Sequence, residues 1–84
     1  MPMISLFKES KLVPSKVINK AVTFFGPGGW GLEVISRAEC CARFEGGGGH
    51  VEVQATGKEK GKGSDVTVES REWEHAAKAF LAKL

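Results

Sequence analysis

Residues 40–69 read Cys-Cys-Ala-Arg-Phe-Glu-Gly-Gly-Gly-Gly-His-Val-Glu-Val-Gln-Ala-Thr-Gly-Lys-Glu-Lys-Gly-Lys-Gly-Ser-Asp-Val-Thr-Val-Glu. Apolar side chains fall at every second position: Cys40, Ala42 and Phe44, then Val51, Val53 and Ala55, then Val66 and Val68. A period of two belongs to strands, whose successive side chains point to opposite faces. Cys41, Arg43, Glu45, Glu52, Gln54, Thr56, Thr67 and Glu69 fill the alternate positions, so one face is apolar and the other polar. Glycine-bearing connections at 46–49 and 58–63 separate the runs, and hairpins need such connections. Upstream, Leu32 and Val34 flank Glu33 and add a fourth strand before a turn near Arg37–Glu39. Four consecutive strands joined this way predict an antiparallel meander.

An apolar meander face must be covered. Trp73, Ala76, Ala77, Phe80, Leu81 and Leu84 recur at helical spacing and form one stripe. Ser70 is the expected N-cap, with Glu72 and Glu74 placed where the helix dipole favours negative charge. A second helix is expected over 15–25, where Val17, Ile18, Ala21, Val22 and Phe25 share a face. Pro14 rigidifies its entry, and Gly26-Pro27 stops it through a left-handed glycine. Residues 3–8 can form a short leading strand, although six residues do not separate strand from helix. The expectation is an α+β two-layer sandwich, a four- to five-stranded antiparallel sheet in the order (β)-α-β-β-β-β-α with both helices on one face.

In element order this chain resembles one repeat of the TATA-box-binding fold and a reduced helix-grip domain. No residue motif of either family is present, so the resemblance implies an arrangement of elements and transfers no functional residue.

At 84 residues the chain is one domain, and 42% apolar content with a net charge of +2 excludes a disordered tail. No apolar run approaches the roughly 20 residues that span a bilayer. The start, Met1-Pro2-Met3-Ile4-Ser5, lacks the build of a signal peptide. A soluble cytoplasmic domain with no membrane association is therefore expected.

Gly26-Pro27-Gly28-Gly29-Trp30-Gly31 matches G-x-G-x-x-G, but it follows a helix and leads into a strand. A pyrophosphate loop needs the reverse order, so a helix stop is the expected role and no cofactor is implied. Trp30 either closes the core or lies exposed at a binding surface. The run Gly46–Gly49 is a wide, mobile turn, or else bare backbone at Gly47 and Gly48 that a ligand or partner approaches beside His50. Adjacent Cys40 and Cys41 do not fit a structural zinc spacing, and neighbours on a strand bridge only with strain. Reduced thiols are expected, with Cys40 turned to the core and Cys41 outward, and no metal. His50 with Glu33, Glu45, Glu52 or Glu69 is the nearest approach to acid–base chemistry, but carboxylates on a polar sheet face are more often simply solvated.

Three functions remain. The first is a non-catalytic interaction module, with a second copy of the chain as the simplest partner and another protein as the alternative. The second is a carrier of a small apolar ligand between helix and sheet, lined by Trp30, Phe44, Trp73 and Phe80. The third is weak nucleic-acid binding through Lys58, Lys60 and Lys62. Specific duplex DNA is not an expected partner, because the outward carboxylates repel phosphate.

Overall fold

The computed structural model describes residues 3–58 and 63–84. Its elements are β1 (Ile4–Ser10), α1 (Pro14–Phe25), β2 (Glu33–Arg37), β3 (Cys41–Gly46), β4 (Gly49–Gly57), β5 (Ser64–Arg71) and α2 (Glu74–Ala82). The strands form one antiparallel sheet in the order β1-β5-β4-β3-β2. Strands β2 to β5 are the expected meander, and residues 3–8 contribute to a fifth strand at its far edge. Helix α1 carries the chain from the β1 edge to the β2 edge, lying over β3, β4 and β5; α2 returns over β5 and β1. The fold is a two-layer α+β arrangement with one open sheet face.

Register keeps the two faces separate. On the helix side Phe44 pairs with Val51, Ala42 with Val53, Ala55 with Val66 and Val53 with Val68. All of these are buried against Val17, Ile18, Ala21 and Phe25 of α1 and Ala76, Ala77, Phe80 and Leu81 of α2. Three aromatic rings lock the layers together: Phe25 lies 5.4 Å from Phe44 and 5.2 Å from Phe80, centroid to centroid. These rings lie in the buried core between helix and sheet. Phe44 and Phe80 are fully enclosed by protein.

Several local expectations are corrected. Helix α2 begins at Glu74, with Trp73 at its N-cap and no side-chain cap. Ser70 is not the cap, because β5 continues through it and buries it. Glu72 turns the chain with φ +70°, a left-handed conformation that separates strand from helix. In α1 Pro14 is the first helical residue, where its missing N–H costs nothing, and Val13 precedes it without a side-chain cap. Gly26 caps α1 in an extended conformation (φ −71°) instead of a left-handed one.

The glycine run is a tight turn. Gly47 and Gly48 both have positive φ (58° and 84°), as a two-residue hairpin turn requires, and Gly46 pairs with Gly49 to close it. Cys40 lies in the turn before β3, outside the strand, so strict alternation does not govern it. Its sulfur is bonded to that of Cys41, a disulfide between neighbours that replaces the expected pair of thiols. Cys41 pairs with Gln54 on the open face, as expected. A bulge between Val34 and Ser36 leaves Ile35 exposed and brings Arg37 to the helix side, where it donates a hydrogen bond to the Asn19 side chain.

Candidate binding groove

The chain stop after α1 builds the most distinctive surface of the molecule. Residues 26–31 fold back on the helix end: Trp30 N–H donates to the Phe24 carbonyl, Gly29 and Gly31 N–H to that of Gly26, and Leu32 N–H to that of Phe25, each at 2.9 Å. These amides are spent on capping carbonyls, so the G-x-G-x-x-G segment offers no cradle for phosphate. The same fold-back carries Trp30 outward, and 46% of it remains exposed. Its ring meets Trp73 edge-on at 5.8 Å and lies 6.5 Å from Phe24.

Beside Trp30 a groove of about 720 Å³ opens between α1 and α2. Phe24, Trp30 and Leu84 supply apolar walls with the buried Phe80 beneath them, and Lys20, Lys83, Asn19 and Thr23 also line it. The Lys83 ammonium lies 5.2 Å from the Phe24 ring centroid, within cation–π range. Neither lysine has a carboxylate within salt-bridge distance among the described residues. Its size falls within the roughly 300–1,000 Å³ of small-ligand sites. Of the four aromatics expected to line a ligand site, Trp30 and Phe80 border this groove. Trp73 instead fastens the β3–β4 turn: its indole N–H donates to the Gly46 carbonyl at 2.8 Å, and its ring lies over Gly47. In the sequence the groove's signal is Phe24, an apolar residue one step off the buried face of α1.

The open sheet face is a contrasting surface. Glu9, Glu33, Glu45, Glu52, Asp65 and Glu69 lie on it, with Glu52 directly opposite Glu69 and Glu9 opposite Asp65. Arg43 bridges Glu45 (3.0 Å) and Glu52 (3.3 Å) and partly relieves the repulsion. His50 lies half-buried between Glu45 and Arg71 on the flanking strands, bordering a polar hollow of about 500 Å³ with Glu33, Arg43 and Gly48. Among the described residues no three His, Cys, Asp or Glu side chains converge as a metal site. Gly48 lies in open space, whereas Gly47 is covered by Trp73, so the protein itself occupies part of the bare backbone. Lys58 pairs with Glu9 at 3.0 Å. Lys60 and Lys62 lie outside the described residues. No helix among the described residues is long and apolar enough to cross a membrane.

Comparison of the chain with family models, with curated proteins and with solved structures finds no match.

Proposed function

We propose that the protein is a non-catalytic binding module, and that its working surface is the groove between α1 and α2. The observation that carries this reading is Trp30, a large aromatic held half in water beside further apolar walls. An exposed aromatic bordering a concave apolar surface is the common signature of a recognition site. A partner inserting an apolar group there would bury that surface without disturbing the packed core. The groove replaces the helix–sheet interior as the seat of an apolar ligand. The compartment we propose is the cytoplasm.

The test is a titration of ¹⁵N-labelled protein with a neutral apolar probe, 4-phenylbutan-1-ol. Saturable shifts of the Trp30 indole N–H and of the Thr23 and Phe24 amides are expected, with β4 and β5 amides unmoved. Absence of saturable shifts at these residues, or shifts confined to the open sheet face, would defeat the groove reading.

A second reading rests on strand β1. Among the described residues its outer edge has no neighbouring strand, and Phe7 and Met3 are 61% and 55% exposed. Edge strands with apolar side chains pair readily, so a twofold dimer through β1 is the form of self-association we propose. The acidic open face opposes the face-to-face alternative.

A further inference from the structure

The groove's charge narrows what it would take, and this inference rests on the groove being the binding surface. We infer that its ligand is an amphipathic carboxylate: a compact apolar body, aromatic or medium-chain acyl, bearing a single negative group. Lys20 and Phe24 stand one helical turn apart on α1, a rise of about 6 Å, so the charged and apolar portions of the groove are close neighbours. Lys83 approaches from α2 with its ammonium already over the Phe24 ring, and Phe80 lies one turn before it. A ligand whose apolar body lies against Trp30, Phe24 and Leu84 therefore has its head group in the same groove that Lys20 and Lys83 line.

One feature of the groove opposes an anion. Both helices end nearby, and helix C-termini carry partial negative charge of about half a unit each. Here that charge is largely answered: Trp30 and Leu32 amides cap α1, Lys83 and Leu84 amides cap α2, and Lys8 Nζ donates to the Leu81 carbonyl at 2.7 Å. Lys20 and Lys83 both line the groove and have no carboxylate within salt-bridge distance among the described residues. The same two charges repel a cationic amphiphile. A groove of about 720 Å³ is of the size that takes a compact ligand.

The experiment compares three probes of equal apolar body, 4-phenylbutyrate, 4-phenylbutan-1-ol and 4-phenylbutylamine, by the shift of the Trp30 indole N–H. At low salt the carboxylate should bind about tenfold tighter than the alcohol. That preference should fall to about twofold in 0.5 M NaCl, because exposed charges are screened. A Lys20→Gln/Lys83→Gln variant should lose the preference for the carboxylate over the alcohol. Equal affinity for carboxylate and alcohol would overturn the inference while leaving the groove reading intact. Tightest binding by the amine would also overturn it. Binding of none of the three would defeat the groove reading itself. Binding of anionic phospholipid vesicles without binding of 4-phenylbutyrate would overturn the commitment to a free carboxylate.

Discussion

Cys40 and Cys41 illustrate how little a covalent bond can do for a fold. A disulfide stabilises chiefly by closing a loop in the unfolded chain, and the loop between neighbours is the smallest possible. Cys40 is exposed and Cys41 half-buried, at a turn whose backbone is already tied by Ala55 N–H donating to the Cys40 carbonyl at 2.7 Å. Reduction with a mild thiol should therefore release two titratable thiols and cost no more than about 1 kcal/mol of stability. Thiol titration together with thermal unfolding in the two redox states checks this. A fall in Tm of more than about 10 °C would show the bond to be structural. The sequence did not foretell the bond, because strand alternation separates neighbouring side chains and only the start of β3 at Cys41 frees Cys40 from that rule.

At the scale of elements, the β3–β4 hairpin and the start of α2 form one device. Trp73 holds the turn from above through its bond to Gly46, and Gly49 passes so close to the Arg71 carbonyl that no side chain fits there. Three of the four glycines thus have separate reasons, which a low-complexity run in sequence does not reveal. Gly47 needs a positive φ and has the Trp73 ring 3.0 Å from where a Cβ would stand; Gly48 needs only the positive φ, with open space around it. Gly47→Val should cost about 2–3 kcal/mol, since a β-branched residue strains at positive φ and also meets the ring. Gly48→Asn should cost less than about 1 kcal/mol, because asparagine tolerates that conformation. Chemical denaturation of both variants decides the matter; equal losses would mean that the Trp73 contact contributes nothing.

At the scale of the molecule, charge divides the two layers. Six carboxylates lie on the sheet face, whereas Lys16, Lys20 and Lys78 belong to the helices and Lys83 caps α2. A protein that met duplex DNA with its sheet would set those carboxylates against phosphates. We expect no retardation of duplex DNA at 150 mM salt and only salt-sensitive retardation well below it. Sequence-selective binding at 150 mM would contradict this. For self-association, sedimentation over a concentration series should reveal a dimer that Phe7→Glu returns to a monomer near 9.0 kDa. A wild-type protein that remains a single monomeric species at high micromolar concentration would remove the β1 dimer.

Periodicity alone determined the two-layer architecture. Alternation in 40–69 and the stripe ending at Leu84 leave only one arrangement that buries both apolar faces, and burial is the dominant driving force. The leading strand was only half legible, because Ile4 and Leu6 alternate over too short a run. Its place beside β5 depends on a pairing partner some sixty residues away, with Leu6 against Val68. The groove belongs wholly to the tertiary structure. Whether Trp30 enters the core or meets solvent depends on how residues 26–31 spend their amides on the end of α1, and whether Phe24 is covered depends on where α2 crosses it. Local sequence encodes which face of a helix is apolar; only packing decides how much of that face is left over.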